Sequence, residues 1–189
     1  MRKSVCVFCA SSNHLAGVYL ETAAKLGRCC AQQGIRIVNG AGRVGLMGAV
    51  SDACLEAGGE VMGVIPQFMV DNGWCHEKLS QLIVTEDMAE RKRIMRLSSE
   101  AIIVIPGGCG TMEEFFEVVT LRQLGLYVHP IILLNVNGFF SPIMDFWKKM
   151  VEEHFLQKDC RDLITVAESV EECMQLLQSL PEKSYLKKN

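Results

Sequence analysis

The sequence predicts an α/β fold in which a doubly wound, mostly parallel sheet carries helices on both faces of a single domain. Short runs rich in Val, Ile and Leu alternate with longer segments of helical periodicity, which is the pattern of a parallel sheet. The apolar runs are nearly continuous, as expected for strands that helices cover on both sides. The chain has 189 residues, 49% of them hydrophobic, which suffices for one well-filled core but not for two.

Seven strands are predicted, each from a short apolar run bounded by turn residues. They cover residues 4–9, 35–38, 61–65, 82–84, 101–105, 131–135 and 163–166. Helices of about 10 to 17 residues are predicted between them, and turn signals such as Gly34 and Gly125 end two of these helices. We expect one domain over residues 1–182 and a frayed tail at residues 183–189.

The charge balance indicates the class of ligand. Lys and Arg number 19 against 22 Asp and Glu, so that the formal net charge is −3, whereas binding to a nucleic acid polymer draws on many unpaired cations. A small-molecule ligand is therefore expected, and no nucleic acid partner. No uncharged apolar run reaches the ~18 residues that span a bilayer, and the N-terminus lacks the pattern of a signal peptide. We expect a cytoplasmic protein without a membrane partner.

The cysteines are predicted to be structural. There are nine, and only Cys6 and Cys9 form a C-x-x-C, inside a predicted strand where residues three apart face opposite sides. Cys29, Cys30, Cys54 and Cys173 fall in amphipathic helical segments, where a free thiol behaves as a small buried hydrophobe. Closed zinc sites pair their ligands differently, so no metal is expected.

Three strand-to-helix turns carry signals for a ligand. In this fold class ligands lie outside the carboxyl ends of the strands, where glycine loops and helix N-termini present free N–H groups. The first turn places Ser11 and Ser12 after the first strand. Their hydroxyls either donate to a phosphate or cap a turn, and these residues alone leave both interpretations open.

The second turn runs from Gly40 to Gly45 and fits the pattern G-x-G-x-x-G. A dinucleotide fingerprint follows the first strand and has an acidic residue about 20 positions later, at the end of the next strand. Here the loop follows the second strand, and Glu60 begins its strand instead of ending it. Nicotinamide chemistry is therefore disfavoured, while a tight turn that serves helix packing stays open.

The third turn, Pro106 to Glu114, breaks from a buried strand through three glycines into a helix. It lacks the Lys of a Walker loop, so that backbone N–H groups and a helix dipole of roughly half a charge would hold one phosphate, not three. The turn predicts a monophosphate site. Cys109 lies at this helix start, where an activated thiolate is a further possibility.

Glu114 has two interpretations. Thr111 and Glu114 match a capping box, in which the second residue reaches back to the cap backbone. A carboxylate beside a phosphate is electrostatically unfavourable, which instead favours a chemical role at a sugar, as in glycoside hydrolysis. Arg91 lies in the preceding helical segment and shares a face with Met88 and Met95, so that it should lean into packed structure and need an anion.

With these motifs assembled, the sequence closely resembles the LONELY GUY (LOG) family of cytokinin riboside 5'-monophosphate phosphoribohydrolases, often labelled possible lysine decarboxylases. The turn 106–114 fits the family pattern P-G-G-x-G-T-x-x-E, residues 42–48 fit its glycine loop before G-L-M-G, and residues 87–92 fit D-M-H-E-R-K. Asn39 and Ala41 stand where the family usually has Tyr and Gly, and Ala89 stands where it usually has His.

The resemblance implies hydrolysis of the N-glycosidic bond of an N6-modified adenosine 5'-monophosphate, giving free base and ribose 5-phosphate. It implies a Rossmann-like fold, a homodimer, no cofactor, catalysis by Arg91 and Glu114, and a phosphate held by residues 107–111. Residues 67–81 are expected to shape the pocket for the base. The substrate-binding residues predicted from the motifs are Ser11, Gly42, Gly45, Met47, Lys92, Pro106, Gly107, Gly108, Cys109, Gly110, Thr111 and Glu113.

Two rival functions remain at this point: a non-catalytic nucleotide or cofactor carrier, and a redox enzyme that would bind NAD through residues 40–45. A non-catalytic nucleotide or cofactor carrier would keep the phosphate loop and have no need of Glu114 or Arg91. A pyridoxal phosphate decarboxylase needs a Lys that forms a Schiff base, and none of the three turns contains one, which argues against it.

Overall fold

The computed structural model describes residues 3–157, 162–179 and 181. Within these residues it contains a seven-stranded sheet in which every pair of neighbouring strands is parallel. The predicted doubly wound α/β fold is confirmed. The expected tail at residues 183–189 lies outside the described residues. Among the helices described, none is both long enough and apolar enough to cross a membrane.

The predicted strands are all present, with ends shifted by two residues at most. The strands are β1 (Ser4–Phe8), β2 (Arg36–Asn39), β3 (Val61–Pro66), β4 (Gln81–Thr85), β5 (Ile102–Val104), β6 (Ile131–Leu134) and β7 (Thr165–Ala167). The α-helices are α1 (Gly17–Gln32), α2 (Gly45–Glu56), α3 (Gln67–Asp71), α4 (Met88–Leu97), α5 (Cys109–Gln123), α6 (Ser141–Glu152) and α7 (Val170–Ser179). A short 3-10 helix spans Val136–Gly138. The short α3 was not predicted.

The order of the strands determines where a ligand site can form. Across the sheet they run β4-β3-β2-β1-β5-β6-β7. The chain thus winds outward from β1 to β4 and then returns to the other side of β1 for the remaining strands. The carboxyl ends of β1 and β5 therefore flank a switch point, the place where ligands bind in open α/β sheets.

Two apolar cores sandwich the sheet. One contains buried side chains of α1, α2 and α7, and the other contains those of α4, α5 and α6. Cys9 belongs to the first core and Cys6 to the second, which confirms that the two thiols of the C-x-x-C face opposite sides of the sheet. Both are free, and burial raises the pKa of each above the ordinary value of a thiol.

Helices α1 and α2 cross at very close range. A Cβ atom built on Gly27 of α1 would lie 2.3 Å from the backbone oxygen of Val50 in α2. Only glycine permits this approach. The contact matters for function because α2 begins at Gly45, the last residue of the glycine loop.

Candidate active site

The three predicted turns meet at the carboxyl edge of the sheet. The turn after β1 is bonded to both of the others: Ala10 donates its N–H to Pro106 O at 3.1 Å, and its own carbonyl accepts from Met47 N at 3.1 Å. Loops that lie far apart in sequence therefore form one continuous wall.

Close packing explains part of the glycine loop. Gly45 has a φ of +65°, and a Cβ atom there would lie 2.7 Å from the backbone N and O of Ser12. Earlier in the loop, Gly42 N donates to the thioether sulfur of Met47 at 2.9 Å. The tight-turn interpretation is thus correct for Gly45, while Gly42 faces a cavity.

Helix α5 begins earlier than a capping box requires. Its N-cap is Gly108, which has no side chain to cap it, and its first residue is Cys109. Thr111 is therefore the third helical residue, so that the capping-box interpretation of Thr111 and Glu114 is wrong. The N–H groups of the first turn lack intrahelical partners and carry the positive end of the helix dipole. They provide a surface beside Gly108 that is suited to an anion.

Arg91 and Glu114 face each other beneath this surface. Both are buried, with only 5% and 7% of their surfaces exposed, and Nη1 of Arg91 lies 3.8 Å from Oε1 of Glu114. Helix α4 presents the arginine. Its Nε donates to Val64 O at 3.1 Å, and its Nη2 donates to Gly40 O at 3.4 Å. The prediction that Arg91 leans into packed structure is confirmed.

The carboxyl group of Glu114 has a pKa near neutrality. Burial raises the pKa of its carboxyl from 4.5 to about 7, and the positive charge of Arg91 opposes this only in part. The loss of hydration thus outweighs the ion pair. A carboxyl group in a cleft that titrates near the pH of the cell is typical of functional sites.

Two cavities meet at this pair. The larger, of about 470 Å³, runs along the glycine loop, and the smaller, of about 370 Å³, opens onto the N-terminus of α5. Both are lined by Ser11, Met47, Met69 and Arg91. Glu114 lines the smaller one. Arg91 therefore belongs to the walls of both cavities, and Glu114 lies 3.8 Å from it on the wall of the smaller one.

A family model and curated relatives match this chain. The model described as "Possible lysine decarboxylase" matches residues 47–177. A probable cytokinin riboside 5'-monophosphate phosphoribohydrolase of Oryza sativa subsp. japonica is 39% identical over 93% of this chain and 72% of its own. A cytokinin riboside 5'-monophosphate phosphoribohydrolase of Arabidopsis thaliana is 38% identical over 94% and 78%. The chain belongs to the LOG family.

Solved structures show the same fold as this LOG family member. The molybdenum cofactor binding protein from Rippkaea orientalis has a TM-score of 0.70 at 23% identity, covering 95% of this chain and 98% of that chain. The molybdenum cofactor carrier protein of Chlamydomonas reinhardtii has a TM-score of 0.71 at 23% identity, covering 94% and 97%. At this level of identity the likeness concerns the fold.

The predicted site residues of the LOG pattern fall into three groups. Cavity walls include Ser11, Gly42, Met47, Arg91, Gly108, Gly110, Thr111 and Glu114. Three residues, Gly45, Pro106 and Gly107, belong to the turns but do not line either cavity. A Cβ atom on Gly107 would lie 2.1 Å from Thr111 Oγ1. The structure does not bring Lys92, Cys109 or Glu113 to the wall of either cavity. Lys92 is instead paired with Glu113 and Glu117.

Sequence reasoning missed several wall residues of the larger cavity. Asn13, Gly40, Arg43, Val44 and Ile65 line it. The available signal was the G-x-G-x-x-G loop, which contains Gly40, Arg43 and Val44. Trp74, which is 49% exposed, lies in the segment 67–81 that was expected to shape the pocket for the base. Its segment reaches the glycine loop through backbone bonds, because Arg43 N donates to Trp74 O at 3.0 Å and His76 N donates to Ala41 O at 2.8 Å. From residues 67–81, Met69 and Trp74 thus line this cavity, and its role as the pocket for the base stays a prediction.

The site does not suit pyridoxal phosphate, despite the label of the family model. Within the described part of the chain, no lysine lines either cavity, and a Schiff base requires one. The described residues likewise include no group of three or more His, Cys, Asp or Glu able to hold a metal ion.

Proposed function

We propose that the chain hydrolyses the N-glycosidic bond of an N6-modified adenosine 5'-monophosphate, releasing the free base and ribose 5-phosphate. The observation that carries the proposal is the buried Arg91–Glu114 pair at the junction of the two cavities. The curated relatives, at 38–39% identity, are named for this activity. A carrier with the same phosphate loop would not need a buried carboxyl group that titrates near pH 7.

The smaller cavity suits the ribose 5-phosphate. Gly108, Gly110 and Thr111 place the first turn of α5 at one end of it, where free N–H groups and the helix dipole favour an anion. A single helix N-terminus without a Lys matches one phosphate group. Glu114 lies on the wall of the same cavity, next to where the sugar would be.

The larger cavity suits the base. Apolar and aromatic side chains dominate part of its wall, among them Ile65, Met69 and Trp74. A planar purine with an apolar substituent buries its surface well against such groups. The bond to be cleaved then lies between the cavities, over Arg91 and Glu114.

The chemistry follows from that placement. The C1'–N bond breaks and its electron pair goes to the base, which takes up a proton; a water molecule adds to C1' and leaves a hydroxyl there. In its ionised form Glu114 stabilises the positive charge that develops at C1' and orients the water. Arg91, already held by the carbonyls of Val64 and Gly40, steadies the negative charge that develops on the departing base.

The test is a chromatographic assay with AMP and an N6-prenylated AMP. We expect free base from at least one substrate, and we expect Glu114→Gln to lower kcat by a factor of about 100 or more, as for other electrostatic stabilisers. Glu21→Gln is the matched control: it removes an exposed carboxylate on α1 that lines neither cavity, and it should leave kcat within about twofold, as for a distant surface change. Tight binding without turnover, unaffected by Glu114→Gln, would support a carrier instead.

A homodimer and a cytoplasmic location complete the proposal. Several large apolar side chains are exposed around α4, α5 and α6, among them Leu97, Leu124 and Phe146, and a symmetric contact would cover them. Light scattering on the purified protein at micromolar concentration is expected to give twice the mass of the chain. A monomeric mass would remove this part of the proposal and leave the hydrolase activity untouched.

A further inference from the structure

Ala41, in the middle of the glycine loop, adopts a backbone conformation that suits glycine. Its φ is +58°, and its side chain is fully buried. A side chain in the left-handed region costs roughly 1–2 kcal/mol, so the surrounding structure must impose the conformation. Gly63 of β3 makes room for the methyl group, since a Cβ atom there would lie 2.6 Å from Ala41 Cβ.

Asn39 supplies the constraint. Its Oδ1 accepts from Ala41 N at 2.9 Å, and its Nδ2 donates to Ser51 Oγ at 2.8 Å. Ser51 in turn donates to Met47 O at 2.8 Å. Both Asn39 and Ser51 are 0% exposed, so these bonds form without competition from water. The carbonyl group of Ala41 is held as well, because His76 N donates to Ala41 O at 2.8 Å.

The constrained loop also holds Arg91. Gly40 lies between Asn39 and Ala41, and its carbonyl oxygen accepts from Arg91 Nη2 at 3.4 Å. A Cβ atom on Gly40 would lie 1.7 Å from that same nitrogen. The guanidinium therefore rests directly on the loop backbone, and a rotation of the peptides on either side of Gly40 would move it.

We propose that Asn39 is a positioning residue for catalysis: its carboxamide locks Ala41 in the left-handed conformation and thereby fixes Gly40 under Arg91, opposite Glu114. Asn39 does not contact the substrate in this scheme, since both ends of its amide are engaged within the fold. The inference rests on the proposed hydrolase function. It assigns a role to two positions, Asn39 and Ala41, at which the loop departs from the family pattern.

The first variant is Asn39→Ala. We expect kcat to fall about 10- to 100-fold while KM changes less than about threefold, because a shift of the order of 1 Å at a catalytic group has effects of this size. The phosphate cradle at the start of α5 shares no side chain with Asn39, so that binding of the phosphate group should persist. The control is Asn135→Ala. Asn135 is also a buried Asn at the end of a strand, and its Oδ1 accepts from a backbone N–H, that of Phe140, but it does not line either cavity.

A second substitution separates positioning from general destabilisation. Glycine adopts the left-handed conformation at little cost, so Ala41→Gly should reduce the need for the Asn39 side chain. We expect kcat of the double variant Asn39→Ala/Ala41→Gly to stay within about threefold of that of Ala41→Gly alone, as residues in one network are not additive. A merely structural role for Asn39 predicts the same loss of kcat in both backgrounds.

The thermal midpoints of the wild-type protein, the two single variants Asn39→Ala and Ala41→Gly, and the double variant provide a readout independent of activity. The loss of Tm caused by Asn39→Ala should be smaller in the Ala41→Gly background. If the wild-type protein releases no base, the proposed function is wrong, but this result says nothing about the contact between Asn39 and Ala41. That contact is then judged by Tm alone: equal losses of Tm from Asn39→Ala in the two backgrounds would overturn the coupling. If it does release base, an unchanged kcat in Asn39→Ala, an equal loss in both backgrounds, or a double variant that cannot fold overturns the inference alone.

Discussion

Glu114 shows how two opposing effects on one residue set the chemistry of the site. Burial raises the pKa of its carboxyl to about 7, although Arg91 lies 3.8 Å away. The guanidinium is partly engaged by two backbone carbonyls, and its attraction offsets only part of the hydration that the carboxylate loses. Both forms of the carboxyl group are therefore populated near neutral pH.

The rate of base release should follow that titration. Because the ionised form stabilises the developing positive charge, we expect kcat to rise with pH and to level off above about pH 7, the pKa of Glu114. The measurement is kcat at saturating substrate, over a range of roughly pH 5 to 9 that brackets this pKa. Loss of the rising limb in Glu114→Gln is the control. A rate that falls through pH 7 would assign the protonated form as the active one.

The same residue shows the limit of motifs at the residue scale. Thr111 and Glu114 have the spacing of a capping box, and nothing in the sequence alone contradicts that pattern. The helix begins two residues before Thr111, at Cys109, because the chain leaves β5 through Gly107 and Gly108 into an open turn. Local spacing cannot reveal where a helix starts when glycine takes the cap position.

At the scale of elements, the turn between β5 and α5 depends on the absence of one side chain. A Cβ atom on Gly107 would lie 2.5 Å from Thr111 Cβ and still closer to its hydroxyl oxygen. Thr111 is buried and β-branched, so its side chain has little freedom to move away. The strand-to-helix turn itself must then shift.

We expect Gly107→Ala to raise the KM for the nucleotide at least tenfold, roughly 1.4 kcal/mol of lost binding, with a smaller effect on kcat. The N–H groups at the start of α5 would be displaced from the phosphate, while Glu114, one turn farther along, would move less. Steady-state kinetics measure both parameters, and a thermal midpoint close to that of the wild type verifies folding. An unchanged KM would mean that the phosphate lies elsewhere.

The crossing of α1 and α2 gives a second prediction at this scale. Gly27→Ala improves helix propensity by about 1 kcal/mol, but the new methyl group would lie 2.3 Å from a backbone oxygen of α2. Overpacking costs about 1–3 kcal/mol, and a backbone atom cannot move aside as a side chain can. The cost of the clash should therefore exceed the gain in helix propensity. We expect Tm to fall by roughly 2–8 °C, measured by calorimetry.

Gly17→Ala on the same helix is the control for that substitution. A Cβ atom there would come no closer than 3.9 Å to its nearest neighbour, a side-chain oxygen of Glu21, so that Tm should stay the same or rise. Equal losses of Tm in the two variants would show that the close crossing is not what makes Gly27 necessary.

At the scale of the whole molecule, the buried Glu114 links function to stability. Its pKa is about 7 in the folded protein and 4.5 as a free side chain, so the folded state binds more protons between these values. Stability from this group is fully present below about pH 4.5 and is lost as the pH rises toward 7. Full loss corresponds to roughly 3 kcal/mol. A reactive site therefore comes with a fold that is less stable at neutral pH.

Unfolding in urea tests the linkage. Relative to Glu114→Gln, whose side chain does not titrate, the wild-type protein should lose up to roughly 3 kcal/mol of unfolding free energy between about pH 4.5 and pH 7.5. The comparison removes the contributions of all other titrating groups. A difference that stays constant over this range would show that Glu114 has an ordinary pKa.

The sequence by itself determined the fold class and the strands, and it singled out the two charged residues that the structure pairs. Apolar periodicity is local information, and it indicated all seven strands to within two residues. Arg91 was singled out because it shares a helical face with Met95, which is buried. Glu114 was singled out because a carboxylate beside a phosphate is electrostatically unfavourable unless it has a chemical role. These are properties that neighbours in the chain specify.

The tertiary structure alone decided how those pieces form a site. The order of the strands places the turns after β1, β2 and β5 side by side, and Trp74 reaches the cavity only because its segment bonds to the glycine loop. The pKa of Glu114 and the conformation of Ala41 likewise depend on residues distant in sequence. Burial and the contacts between loops arise only when the chain closes on itself, and for that physical reason no local pattern contains them.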